Sequence, residues 1–185
     1  MFRDSSLAPA EAIRLAALGM LAEMPRGYAD LANEIRHFTS RIAGPSLDLM
    51  GTSLELLRYE GLVAVGGNED GGTEPKLSLT PAGNEALLGL LRAALRAPTS
   101  DLARLALLLK LRFLHHLPLP EQAEQIGLVI TACASERAQL AELHEHNGAN
   151  AGLFLEWLSQ DIARLDAGIS WLRARRASRA ADAKA

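Results

Sequence analysis

Apolar and polar positions follow two different periods along this chain, and the change of period sets out its elements. Between Pro9 and Glu23, the residues Ala12, Leu15, Ala16, Met20 and Leu21 recur at helical spacing, and Pro25-Arg26-Gly27 breaks the run. A second helix is predicted over Tyr28–Phe38, with Leu31, Ile35 and Phe38 on one face. Ala43-Gly44-Pro45-Ser46 interrupts it, and Ser46 is placed to cap the next helix. From Leu47 to Glu60, Met50, Leu54 and Leu57 stand at i, i+4 and i+7, the buried stripe of a third helix. Gly61 ends it.

The period then drops to two. Leu62-Val63-Ala64-Val65 and Lys76-Leu77-Ser78-Leu79-Thr80 read as strands. The segment from Gly66 to Pro75 holds four glycines, a proline and no apolar residue, and so reads as a long exposed hairpin loop. Thr80 and Pro81 suit the N-cap and first position of a fourth helix reaching about Arg96. After the linker Ala97-Pro98-Thr99-Ser100, helices are predicted over Asp101–His116, Pro120–His146 and Ala151–Arg176. Three helices and then a two-stranded hairpin is the order of a winged helix-turn-helix. The expected fold is therefore mainly α with a small β-hairpin wing. It divides into a winged helix-turn-helix domain over residues 1–96, a helical dimerisation domain over 97–176 and a disordered tail over 177–185.

Several fragments occur in a telling order. Leu18-Gly19-Met20-Leu21-Ala22-Glu23 leads to Arg26-Gly27-Tyr28; Met50, Leu54, Leu57, Gly61, Leu62 and Val63 come next; then comes Leu77-Ser78-Leu79-Thr80-Pro81-Ala82-Gly83. Lys110-Leu111-Arg112-Phe113-Leu114, Leu155-Glu156-Trp157-Leu158 and Ile169-Ser170-Trp171-Leu172 complete the series. In this order the chain resembles the PadR-like regulator family, including its virulence-activator branch, over nearly its whole length. The resemblance implies a transcriptional regulator that binds operator double-stranded DNA as a homodimer through its C-terminal helices. For some members it also implies a small aromatic effector. The family's recognition segment usually reads Pro-Gly-Ser-Leu-Tyr-Pro-Ala-Leu-Arg-Arg-Leu. Here those positions run from Leu47 to Leu57, with Gly51 for the tyrosine, Thr52 for the second proline, and Glu55 and Leu56 for the basic pair.

With Met50 at the centre of the buried face, Asp48, Thr52, Glu55 and Tyr59 project opposite, toward a major groove. The candidate DNA-binding residues are Arg36, Arg41, Ser46, Thr52, Ser53, Tyr59 and Lys76, with Arg26 and Arg58 as further usable cations. Phe113, Phe154, Trp157 and Trp171 would line an effector pocket, against the plainer reading that they pack a core. Surplus apolar residues in the C-terminal half, among them Leu105, Leu108, Leu109, Phe113, Val129, Phe154 and Trp157, point to dimerisation.

Charge complicates the picture. The net charge is −3, but residues 1–87 hold seven Lys/Arg against twelve Asp/Glu, whereas residues 88–185 hold twelve against ten. A DNA-binding module is ordinarily the basic half of a chain. The hairpin loop adds Glu69, Asp70 and Glu74 to the acidic side. The acidity opens a second reading: a winged-helix protein-interaction or ligand-sensing module with weak or no DNA binding. The stretch from Arg173 to Ala185 carries Arg173, Arg175, Arg176, Arg179 and Lys184 against Asp182; it reads as a solvating terminus, with contact to DNA or another anion as the alternative.

Other chemistry is thin. His115-His116 and His144-Glu145-His146 lack the i, i+3 or i, i+4 spacing of a helical metal pair, and the hairpin glycines precede no helix that would hold a phosphate. No nucleophile pattern stands out, so neither catalysis, nor a metal, nor a cofactor is expected. The single cysteine, Cys133, lies in an apolar run and reads as a small buried hydrophobe in a reducing compartment. The stretch Leu15–Leu21 comes after Arg3, Asp4, Glu11 and Arg14 and does not read as a signal peptide. No apolar run approaches the roughly 20 residues of a membrane span. The expected location is the cytoplasm, without a membrane partner.

Overall fold

Helix α1 (Pro9–Glu23) is apolar on nearly every side, and the first part of the chain closes around it. The computed structural model describes residues 9–43, 50–66, 75–95, 97–147 and 152–183. Ile13, Leu15, Ala16, Ala17, Leu18 and Met20 are wholly buried, as a helix with little polar face requires. Burying one Leu or Ile side chain is worth roughly 1.5–3 kcal/mol, which makes α1 the main anchor of this core. Helices α2 (Tyr28–Ala43), α3 (Met50–Tyr59), α4 (Pro81–Arg92) and α5 (Asp101–Phe113) pack against it. Each buries one stripe: Leu31, Ile35 and Thr39 from α2; Leu54 and Leu57 from α3; Leu87 and Leu91 from α4; Leu105, Leu109 and Phe113 from α5. These residues are three or four apart, the spacing that keeps side chains on one helical face.

The wing is a three-stranded antiparallel sheet in the order β1 (Arg26–Gly27), β3 (Lys76–Leu79), β2 (Val63–Val65). Val63 faces Leu79 and Val65 faces Leu77 across the expected hairpin, while Arg26 and Gly27 add a short strand opposite Leu77 and Lys76. Read from sequence, Pro25-Arg26-Gly27 is only a break, because two residues are too few to show a period. The sheet joins α4 through one residue. The Thr80 hydroxyl lies 2.8 Å from the Gly61 carbonyl and 3.0 Å from that of Leu62, and accepts from the Gly83 N–H at 3.0 Å. A Cβ on Gly83 would collide with the Leu62 carbonyl oxygen, so the first turn of α4 can close on the wing only with glycine there.

Helix α4 stops at Arg92, short of the predicted Arg96. Ala93 leaves the helical region (ψ 150°), and its carbonyl accepts a hydrogen bond from the buried Lys110 ammonium. This places a cation at the negative end of the helix dipole.

The chain forms two compact units. Helices α1 to α5, the sheet and a 3₁₀ turn at Leu114–His116 make one; α6 (Leu119–His146) and α7 (Gly152–Asp182) make the other. The boundary expected at residue 97 groups α5 with the later helices, yet α5 belongs to the first unit. Its Phe113 ring occupies the space at Gly19, where a Cβ would lie 2.5 Å away. Helices α6 and α7 run antiparallel. Arg137 pairs with Asp166 at 3.2 Å, and His144 meets the Ser159 hydroxyl at 3.1 Å. Ile126, Val129, Ala132 and Cys133 are buried along α6, and Leu158, Leu165, Ile169 and Leu172 along α7.

A disordered tail was expected from residue 177, but α7 continues to Asp182, with the Ala183 N–H bonded to the Arg179 carbonyl at 3.1 Å. Ala174, Ala177, Ala180 and Ala181 are the strongest helix formers available, and they carry it. Among the described residues no helix is long and apolar enough to cross a membrane.

Candidate nucleic-acid interface

Helix α3 is held from beneath and at its end. Leu54 and Leu57 are buried against α1, and Arg14 of α1 grips the Glu60 carboxylate at 3.0 and 2.5 Å. That hydrogen bond, opposed by some burial and aided by the charge of Arg14, holds the Glu60 carboxyl below the ordinary carboxylate range. The outward face carries Glu55, Leu56, Arg58 and Tyr59, and Tyr59 is 93% exposed. Arg58 Nη1 lies 3.2 and 3.3 Å from the Glu55 carboxylate oxygens, so the acid on the expected groove face is partly neutralised from within the helix. Thr52 and Ser53 lie on α3, but their side chains are outside the described residues, as are Ser46, Asp48 and the hairpin loop over 67–74.

Two expected phosphate contacts, Arg36 and Arg41, are exposed on α2. Arg36 Nη1 donates to Asn33 Oδ1 at 2.8 Å. Lys76 is half-buried at the start of β3, opposite Gly27.

Arg26, read from sequence as a usable cation, is committed elsewhere. It pairs with Glu34 and lies 3.8 Å from Glu23, while Arg112 of α5 lies 3.5 Å from each of the same two carboxylates. The Arg112 guanidinium also sits 5.5 Å from the Phe38 ring centroid and 5.2 Å from that of Phe113. This cluster ties α5 to the C-terminal end of α1 and to the middle of α2. The long separations in the chain, up to 89 residues, hid it from local reading. Arg58, the other added cation, is the partner of Glu55.

Of the four aromatic residues expected around an effector, one lies in the first unit and three on α7 of the second. Phe113 is wholly buried in the first unit. Phe154, Trp157 and Trp171 are 44%, 68% and 55% exposed on α7. Trp171 stands about 21 Å along the helix from Trp157 at 1.5 Å per residue. Of the residues counted as surplus apolar surface, Leu105, Leu109, Phe113 and Val129 are buried within the chain itself.

Other titratable groups respond to their surroundings. Burial pushes the Lys110 ammonium down to about 8. Burial also lowers His116, helped by His115 with its ring 4.2 Å away and opposed by Glu23. Burial raises the Cys133 thiol, against the pull of Arg164, so it stays protonated and packs as a small apolar residue. Among the described residues no three His, Cys, Asp or Glu side chains come together to hold a metal ion.

No curated relative matches the chain. Three solved structures of Bacillus subtilis PadR are similar to it. The structure of PadR itself has 17% identity and a TM-score of 0.40, covering 95% of this chain and 98% of that one. PadR in complex with operator DNA has 18% identity and a TM-score of 0.39, covering 90% and 98%. PadR in complex with p-coumaric acid has 16% identity and a TM-score of 0.41, covering 94% and 98%. The family model described as "Putative AphA-like transcriptional regulator" matches residues 2–175. Spanning nearly the whole chain, that match shows that this protein belongs to the AphA-like family of transcriptional regulators.

Proposed function

We propose that the protein is a cytoplasmic regulator that binds operator DNA as a homodimer, acting by recognition rather than by catalysis. The observation that carries this reading is the two-sided character of α3. Its inner face is anchored by Leu54, Leu57 and the Arg14–Glu60 pair, while Tyr59 stands almost fully exposed on the outer face. In this reading α3 lies in the major groove with Thr52 and Tyr59 toward base edges and Ser46 and Ser53 beside them. Arg36, Arg41 and Lys76 touch phosphates. With Arg26 consumed by Glu23 and Glu34, and Glu55 still on the groove face, few phosphates are neutralised by this unit. Its contribution to the salt dependence is accordingly shallow.

Dimerisation is supported by the apolar surface that a two-helix unit leaves uncovered. Leu153, Phe154 and Trp157 on α7 are 82%, 44% and 68% exposed, and Leu128 and Leu143 on α6 are 43% and 42% exposed. A twofold pair of such units would present two α3 helices to half-sites about 34 Å apart, one turn of DNA. A small aromatic effector, in this reading, stacks on Trp171, about 21 Å along α7 from Trp157, and changes the tryptophan fluorescence. An aromatic-acid series that leaves that fluorescence unmoved counts against the effector alone.

The test is selection of bound sequences from a random duplex pool at low salt. An enriched palindrome is the expected result, and Thr52→Ala then weakens the selected site by about 1–3 kcal/mol while leaving random duplex unaffected. Leu56, 46% exposed beside Tyr59, favours one other reading, a protein-interaction module. A pool that stays random would favour it over operator binding.

A further inference from the structure

The last turns of α7 bury nothing. Leu172 is its final buried residue, and every residue from Arg173 to Asp182 is exposed. This segment carries Arg173, Arg175, Arg176 and Arg179 against Asp182 alone, a net charge of +3. Upstream on the same helix charged side chains are paired: Arg164 with Asp161 at 3.3 Å, and Asp166 with Arg137 of α6 at 3.2 Å. Among the described residues, none of the four terminal arginines is in such a pair.

Two of the four are positioned. The Arg175 guanidinium lies 5.9 Å from the Trp171 ring centroid, and that of Arg176 rests over Gly127 of α6, where a Cβ would come within 3.3 Å. At 100° per residue, Arg175 and Arg179 extend the face of Trp171, and Arg176 and Arg173 continue around the helix. The result is a cationic sleeve spanning about half the circumference.

We propose that this end of α7 is a second DNA contact, which takes the phosphate backbone of a duplex without reading its sequence. The proposal rests on the operator-binding reading above. Guanidinium forks fit phosphate oxygens in pairs, and Arg is the side chain of choice for that contact. The first 87 residues carry a net −5, so the phosphate neutralisation that supplies most DNA affinity must come largely from elsewhere. Arg173 to Asp182 contains no apolar side chain larger than alanine, and so lacks the face with which an interfacial helix enters a bilayer.

The test compares the full-length protein with two variants, all four arginines changed to Gln and all four changed to Lys. Circular dichroism first establishes equal helix content. Anisotropy titrations then use a random duplex, the selected operator and anionic phosphatidylserine vesicles across a salt series. The Gln variant is expected to lose about tenfold or more in affinity for both duplexes, with a salt slope shallower by about 2–4 units, and the Lys variant to retain most of both. Unchanged duplex affinity and slope in the Gln variant would overturn the proposal while leaving operator binding intact, and vesicle binding that alone depends on the arginines would do the same. Arginine-dependent duplex binding without any enriched sequence would sustain the proposal and sink the operator reading. Absence of duplex binding by the unaltered protein at low salt would sink both.

Discussion

At Gly83 and Thr80 the wing depends on single atoms. The Thr80 hydroxyl caps α4 and reaches the carbonyls that end the α3 turn, and Gly83 leaves room for the Leu62 carbonyl. Gly83→Ala is expected to destabilise the protein by about 1–3 kcal/mol in urea unfolding, since the added methyl meets backbone that cannot swing away. Thr80→Ala should cost about 1 kcal/mol through the lost cap. Lys110 behaves differently. Burial lowers its pKa from 10.5 to about 8, so between those values the unfolded chain holds a proton that the folded chain has released. Unfolding free energy should therefore rise with pH from about 8 to about 10.5 and flatten above. Urea melts of the unaltered protein and Lys110→Met at about pH 7 and about pH 10 measure this, and the Met variant should lack the rise.

Helix α3 sets the electrostatic character of the proposed groove face. Glu55 and Arg58, one turn apart, spend their charges on each other. A surface pair of this kind is worth at most about 1 kcal/mol to stability, so it is readily given up. Glu55→Arg replaces an acid with a cation and also frees Arg58. The expected outcome is tighter binding to random duplex and a salt slope steeper by about 1–2 units, with folding stability little changed. An unaltered slope would mean that this face does not meet phosphate. The extended α7 shows the opposite behaviour: among the described residues its terminal arginines meet no carboxylate, and its alanines sustain the helix where packing has ended.

For the molecule as a whole, the proposed dimer rests on the exposed apolar residues of the second unit. Leu153→Glu combined with Trp157→Glu places two charges on the proposed dimer face, where burial without partners costs several kcal/mol. Light scattering should then report monomers, and operator affinity should fall because two half-sites are no longer held together. Neither residue is part of the α6–α7 core, so thermal unfolding of each chain should remain cooperative. A dimer that survives both changes would place the interface elsewhere.

The order of elements was legible in the residues because it rests on local periods. Helical spacing of Leu54 and Leu57, alternation around Leu77, and the Thr80-Pro81 start need only neighbours in the chain to be read. The outward direction of Tyr59 was legible for the same reason, since a helical period that buries two residues exposes those opposite. What the periods could not supply was the identity of partners. An apolar stripe on α5 says that it must be covered, but not that Phe113 fills the space at Gly19. The charge of Arg26 is visible in the sequence; its capture beside Glu23, Glu34 and Arg112 is not. Trp157 and Trp171 at helical spacing look alike whether they pack a core, line a cleft or face solvent, and only the packing of α6 against α7 left them outside. Local sequence determines which conformation each segment prefers, because backbone hydrogen bonds and side-chain spacing act over a few residues. Tertiary structure alone decided which charges are spent and which surfaces stay open, because those depend on groups brought together from distant parts of the chain.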